Sequence, residues 1–209
     1  MPERPVARRR QPRGEKRIEL LLDAAAEVFG EVGYAAATTN AIAARAKSSP
    51  GTLYQFFPNK EEIARALAQR YLAQLQDAHQ IALAPEHAAL PLAELIDRMV
   101  DPMISFNLSH PGFQALFNTP DDTQRVASKP LPVREAVIDR LSTIFAARAP
   151  ELEQPDRERT ARMVVAVFRG ALPLIITSEG AERAAMIREL KRLLFGYLEP
   201  VVGPAASTR

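Results

Sequence analysis

Apolar residues recur along most of this chain at three- and four-residue steps, the spacing that gathers them on one face of an α-helix. No segment shows the alternating pattern of a half-buried strand, so the expected fold is all-α, with about nine helices. In a first helix, roughly residues 15–32, Leu21, Leu22, Ala25, Val28 and Phe29 form one apolar stripe. Gly33 ends it, because a residue without Cβ takes up positive φ freely. Thr38 is placed to cap a short second helix through about Ala46, with Ile42 and Ala43 pointing inward. A turn at Lys47 and Ser48 follows. Ser49 as N-cap and Pro50 at the first helical position open a third helix, which puts Leu53 and Phe56 towards the core and stops at Pro58. Asn59 caps a long fourth helix, with Glu61 and Glu62 set favourably against its dipole. Two short helices joined by a four-residue turn, with a supporting helix, make a helix-turn-helix.

The fourth helix is expected to run to about Leu83 and to break at Pro85. A fifth spans residues 91–109, where Leu92, Leu95, Ile96, Met99, Met103, Ile104 and Phe106 give an apolar face and Pro102 is a point of bending. His110-Pro111-Gly112 reads as a break before a short sixth helix from Phe113 to Asn118. The polar loop from Thr119 to Pro132 is expected to be the most mobile internal segment, and a seventh helix follows to Ala149. In the penultimate helix, Met163 to Phe168 and Gly170 to Ile176 are apolar almost all round, more than a surface helix needs, so both sides are expected to be covered.

At 209 residues the chain suffices for a small domain and a moderate one. The expected division is a flexible basic arm (1–14), a helix-turn-helix head (15–60), a helical bundle (61–202) and a disordered tail (203–209). A content of 47% hydrophobic and 25% charged residues excludes a disordered or fibrous chain. The absence of cysteine excludes disulfide frameworks, thiolate nucleophiles and the common zinc-finger ligand sets. No apolar run follows the N-terminal arginines, and Met163 to Thr177 is interrupted by Arg169 and Pro173. The expectation is therefore a cytoplasmic protein with no membrane partner. The net charge of +2 is unevenly spread, since the first sixty residues carry +4 and the rest −2. Arg4, Arg8, Arg9, Arg10, Arg13, Lys16 and Arg17 supply most of the excess, among Pro2, Pro5 and Pro12. Such an arm suits phosphates or a minor groove, and equally keeps a terminus solvated. His79, His87 and His110 are scattered, no Gly-rich phosphate loop or metal-spaced cluster is present, and Asp121-Asp122 reads as turn chemistry. No catalysis, metal or cofactor is expected.

Gly33-Tyr34, the run from Thr38 to Ala43, and Ser49-Pro50-Gly51-Thr52-Leu53-Tyr54-Gln55-Phe56-Phe57-Pro58-Asn59-Lys60-Glu61-Glu62 together resemble the DNA-binding signature of the tetracycline-repressor (TetR) family. The likeness covers about residues 15–65. Two positions depart from the family pattern: Lys47 stands where glycine is usual, and Ser48 where an apolar residue is usual. The resemblance implies that the third helix enters the major groove of an operator duplex. There Gly51 allows close backbone approach, Thr52 and Tyr54 bond phosphates, and Gln55 reads a base edge. Thr39 and Asn40 are similar to positions that hold phosphate or a flanking base, Lys47, Ser49 and Pro50 belong to the same surface, and Lys60 is expected to grip a phosphate.

The family plan also implies a homodimer on a palindromic site, a repressor released by a small effector that tilts the fourth helix, and an apolar effector pocket. Met99, Met103, Phe106 and Phe113 are candidates to line it, with Phe117 and Phe168, and Asn107 and His110 as polar anchors. A stripe of Met and Phe at helical spacing is more often packed core than pocket. The dimer interface is expected to use Val164, Val167, Ala171 and Leu174 from one helix and Ile187, Leu190 and Leu194 from the last, with Arg169 placed either to contact an acidic effector or, the commoner arrangement, to pair with a carboxylate such as Glu179 or Glu182 across the dimer. The competing reading is a helical adaptor that uses the head for protein contact; it predicts no steep salt dependence of DNA affinity.

Overall fold

The computed structural model describes residues 12–117 and 132–203. Arg4, Arg8, Arg9 and Arg10 of the basic arm, Asn118, the loop before Pro132 and the tail after Gly203 lie outside the described residues. Among those described there are nine α-helices, one 3-10 turn and no strand. In chain order they are α1 (Pro12–Ala36), α2 (Thr39–Arg45), α3 (Pro50–Phe56), α4 (Lys60–Ala82), the 3-10 turn Pro85–Ala89, α5 (Leu92–Ser109), α6 (Pro111–Phe117), α7 (Pro132–Arg148), α8 (Gln154–Thr177) and α9 (Gly180–Val202). The helix α1 starts three residues before the expected Glu15, so Arg13 and Gly14 belong to a helix and not to an arm.

The chain divides into two compact units, one of residues 12–71 with 110–117 and the other of 72–109 with 132–203. The expected boundary after residue 60 therefore moves to Tyr71, and α6 joins the head. The reason lies in packing: Ile63, Ala64, Leu67 and Tyr71 of α4 and Leu116 of α6 are buried with Leu21, Ala25, Phe29, Ile42 and Leu53 in one core. Helix α6 lies hard against α1. A Cβ on Gly112 would stand 2.7 Å from the Ala26 carbonyl oxygen and 2.8 Å from the Tyr71 hydroxyl, so the glycine is needed for close approach and not merely as a break. Phe113 stacks at a tilt on Phe117, 4.6 Å between centroids, and meets the edge of Tyr71 at 5.8 Å, both favourable ring geometries. Ion pairs brace α1 from outside: Arg70 reaches Asp23 at 2.7 Å, and Arg45 reaches Glu27 at 2.8 Å and Glu31 at 2.6 Å.

In the second unit, Leu95, Ile96, Met99 and Met103 of α5 pack with Ile138, Leu141 and Phe145 of α7, Val164 and Ile175 of α8, and Leu190, Leu194 and Leu198 of α9. Lys191 of α9 bridges Asp97 and Asp101 of α5 at 2.8 and 2.6 Å. Arg148, at the end of α7, is only 4% exposed and meets no carboxylate among the described residues. Its guanidinium donates instead to the carbonyls of Ala88 at 2.8 Å, Leu90 at 2.6 Å, Val202 at 3.4 Å and Gly203 at 2.6 Å. Backbone dipoles from the 3-10 turn and the end of α9 thereby solvate a buried charge and tie three chain segments together.

His79 sits in the α4 stretch of this unit, where burial, and then the Arg140 charge, push its imidazole down to about 4 from 6.5. The unfolded chain takes up a proton on this group below 6.5 while the folded chain refuses it until about 4. Its contribution to stability is thus intact above 6.5 and is lost as the pH falls through that window. In His79→Leu, the part of the acid destabilisation that belongs to this group should vanish. Urea midpoints for wild type and variant at neutral pH and in acid measure it, and equal acid losses in the two proteins would refute the assignment.

Candidate nucleic-acid interface

Each element of the helix-turn-helix is closed by its own side chains. Thr38 Oγ1 accepts from Ala41 N at 3.1 Å at the start of α2, the bond of an N-cap. At its end Lys47 N donates to Ala44 O at 3.0 Å and Ser48 N to Ala43 O at 2.9 Å, the paired bonds of a Schellman cap. The cap demands a left-handed residue, and Lys47 supplies it with φ of 49°. A side chain here costs about 1 kcal/mol that glycine would not. Ser49 Oγ then caps α3 by accepting from Thr52 N at 3.1 Å, with Pro50 in the first turn. Asn59 Oδ1 caps α4 by accepting from Glu62 N at 2.8 Å.

Below α3, Leu53 is fully buried and Phe56 half-buried, so the helix can roll only slightly. Gly51, Tyr54 and Gln55 are left on the outer side, and Lys47 and Asn40 are exposed as well. Tyr54 is 49% exposed, and its hydroxyl lies 2.9 Å from Thr39 Oγ1, which joins the two helices through a pair of polar groups. Gln55, Asn40 and Lys47 make no side-chain hydrogen bond to another described residue. The hydroxyls of Ser49 and Thr52 are 2.9 Å apart and engaged with each other. The face therefore offers a free amide at Gln55, a free ammonium at Lys47 and a shared hydroxyl pair, while Gly51 leaves the backbone bare.

Lys60 stands differently from the expectation of a phosphate grip. Its Nζ donates to the carbonyls of Tyr34 at 2.9 Å, Ala35 at 3.1 Å and Ala37 at 2.9 Å, and lies 4.6 Å from the Tyr34 ring centre. Arg45 is likewise turned inward onto α1, where its guanidinium holds Glu31 below the usual carboxylate range. Residue type alone could not tell these engaged cations from the free Lys47, because their partners are backbone carbonyls and a distant helix.

The residues expected to line an effector pocket fall into both units. Met99, Met103, Phe106 and Asn107 are buried in the second, where the Asn107 amide donates to Met103 O at 2.8 Å, and Phe168 is half-buried against the same core. His110, Phe113 and Phe117 belong to the head, and the first two meet Tyr71. The expected dimer set also divides. Val164, Leu190 and Leu194 are 4%, 3% and 1% exposed and pack in the chain's own core. Val167, Ala171 and Ile187 are half-buried, and Leu174 is 58% exposed. Leu193 at 54% is exposed beside them and is not among the expected interface residues, although it stands three residues from Leu190 at the edge of the same stripe. By length and composition α8 is apolar enough to cross a membrane, and 22% of its most apolar window is buried within the chain.

A capped pair of short helices that turns a glycine, a tyrosine, a glutamine and a free lysine outward over one buried leucine defines a DNA-reading head. Two family models match the chain: bacterial regulatory proteins of the tetR family over residues 21–67, and the tetracyclin repressor-like C-terminal domain over residues 91–198. The chain belongs to the TetR family and is a DNA-binding transcriptional regulator. It is 28% identical to the regulator UidR of Escherichia coli K12 over 188 residues, 85% of this chain and 91% of UidR. A stretch of 66 residues is 47% identical to the transcriptional activator FasR of Mycolicibacterium smegmatis, 32% of this chain and 30% of FasR. A TetR-like regulator from Rhodococcus sp. RHA1 shares the fold with a TM-score of 0.68 at 24% identity, over 90% of this chain and 98% of that one.

Replacing Lys47 by glycine should separate two effects of the departure from the family turn. Lys47→Gly is expected to raise stability by about 1 kcal/mol by relieving the left-handed strain. It should also weaken DNA binding and flatten the dependence of log affinity on log salt by about 0.9 per subunit if the ammonium meets a phosphate. Denaturant melts and salt titrations read the two separately. Loss of stability in Lys47→Gly would refute the strain.

Proposed function

We propose that the protein is a homodimeric repressor which reads a palindromic operator through α3 and leaves it when a largely apolar small molecule binds in the second unit. The observation that carries this reading is the exposed face of α3, where Gln55 has no protein partner among the described residues while Leu53 anchors the helix from below. In this reading Gln55 is the base reader, Tyr54, Thr39 and Lys47 meet the backbone, and Asn40 touches a flanking position. Ser49, Pro50 and Thr52 shape the start of α3, and Gly51 admits the duplex closely. Effector contacts fall to Met99, Met103, Phe106, Asn107 and Phe168. Linkage then requires operator and effector to weaken each other's binding by the same factor. The likeness to an activator over 66 residues supports a second reading, in which occupancy recruits polymerase; transcription from the bound promoter rises in that case and falls in the first.

Dimerisation is supported by the apolar surface of α8 and α9. Met163, Leu174 and Leu193 are each about half exposed, at 49%, 58% and 54%, and a groove of about 550 Å³ runs between Val167, Gly170, Ala171, Leu174, Met186 and Leu193. Contiguous apolar surface of this kind marks an interaction site. A second copy of the same pair of helices would cover it as a four-helix seam. Leu174→Glu should shift sedimentation from dimer to monomer at micromolar protein without lowering the melting temperature of the bundle. A variant that stays dimeric would place the interface elsewhere.

The reading of DNA is tested by fluorescence anisotropy on the intergenic duplex beside the gene and on a scrambled duplex, at two salt concentrations. Tyr54→Ala should weaken both duplexes alike, whereas Gln55→Ala should reduce the preference for the native one by about tenfold. Equal losses in both variants would remove Gln55 from base readout. Salt-insensitive binding, or none at low salt, would favour the adaptor.

A further inference from the structure

The position of Lys60 has a physical cause that begins at Gly33. With φ of 76° and ψ of 162°, Gly33 breaks the regular course of α1. The carbonyls that follow face the general difficulty of a helix end, acceptors with no turn beyond them. Three of these carbonyls, from Tyr34, Ala35 and Ala37, converge on one nitrogen at 2.9, 3.1 and 2.9 Å. An ammonium has three N–H donors, so Lys60 is saturated. Its backbone is fixed in turn by the Asn59 cap of α4. Lys60 is half-buried, and the Tyr34 ring lies beneath it.

The last of the three carbonyls belongs to Ala37, the residue directly before Thr38. Thr38 Oγ1 caps α2, and Thr39 follows with its hydroxyl 2.9 Å from that of Tyr54 on α3. One ammonium thus ties the end of α1 to the start of α4 and, through a single peptide link, sets where α2 begins. We infer that Lys60 is a positioning residue for operator binding, one that places Thr39 and Tyr54 through the joint between α1 and α2 and does not itself contact phosphate. The inference rests on the assignment of Thr39 and Tyr54 to the DNA-facing surface.

Salt dependence distinguishes positioning from contact, because a lysine that neutralises a phosphate releases a counterion and one that only shapes the surface does not. The experiment measures operator affinity across a salt series for wild type, Lys60→Met and Lys60→Arg, using a duplex chosen by selection from random sequence. Amide exchange at Ala41 and Ile42, whose N–H groups bond to Thr38 at the start of α2, is followed in the same proteins without DNA. Lys60→Met should bind about tenfold more weakly, the worth of a disordered polar pair. Its salt slope should stay within about 0.3 per subunit of wild type. Exchange at Ala41 and Ile42 should accelerate. Lys60→Arg keeps the charge but cannot bring three donors to one point from a single nitrogen, so it should behave like Lys60→Met. A slope reduced by about 0.9 per subunit in Lys60→Met, with near-normal affinity in Lys60→Arg, would overturn the inference. So would unchanged amide exchange in both variants. If Lys60→Met does not fold, Lys60→Arg decides alone. A wild-type protein that selects no duplex would instead sink the assignment of the DNA-facing surface, which is a separate outcome.

Discussion

Helices of seven residues leave more backbone groups unpaired at their ends than they pair within, and α2 and α3 are both of that length. The head rests on how those ends are closed. Thr38, Ser49 and Asn59 accept the orphan N–H groups, the Schellman bonds at Ala43 and Ala44 take up the end of α2, and Lys60 takes up the end of α1. Because the caps belong to the turns, the same residues that terminate the helices also set the angle between them. A buried Leu53 then suffices to seat α3, and its remaining side chains are free to face outward.

Cationic groups in this head are sorted by partner rather than by sequence position. Arg45 and Arg70 are spent on carboxylates of α1, and Lys60 on carbonyls, which leaves Lys47 as the cation of the turn without a protein partner among the described residues. Its backbone strain and its exposure arise from one cause, since a left-handed position at a helix end points the side chain away from the packed interface. The second unit handles its buried cation in the opposite way. Arg148 is solvated wholly by carbonyls, so it ties the 3-10 turn, α7 and α9 together without a counter-charge among the described residues.

The outward face of α8 and α9 and the inward face of the same helices are both apolar, and that duality made the sequence hard to divide. Periodicity shows that α8 is apolar almost all round from Met163 to Phe168 and from Gly170 to Ile176 but cannot say which third packs inside. Val164, Leu190 and Leu194 went inside with α5 and α7, while Leu174 and Leu193 stayed out. The phase of each helix about its own axis is set by its neighbours, and a stripe wider than one face leaves that phase open. Aromatic and methionine positions behaved likewise: Phe113 and Phe117 joined the head because Gly112 lets α6 lie against α1, a contact of backbone with backbone that no local pattern announces.

Much of the head was legible in the chain because its signals are local. Caps, glycine and proline act within three or four residues, so the starts of α2, α3 and α4, the turn at Lys47 and Ser48 and the burial of Leu53 follow from neighbours in sequence. By itself the sequence determined an all-α protein with a capped helix-turn-helix and a polar outer face on its third helix. Only the tertiary structure decided that the head extends to Tyr71 and takes in α6, that Lys60 is engaged by Tyr34, Ala35 and Ala37, and which apolar residues of α8 and α9 remain uncovered. Those outcomes depend on contacts between residues more than twenty positions apart, and the free energy that chooses among them is burial and hydrogen-bond satisfaction summed over the whole packed unit.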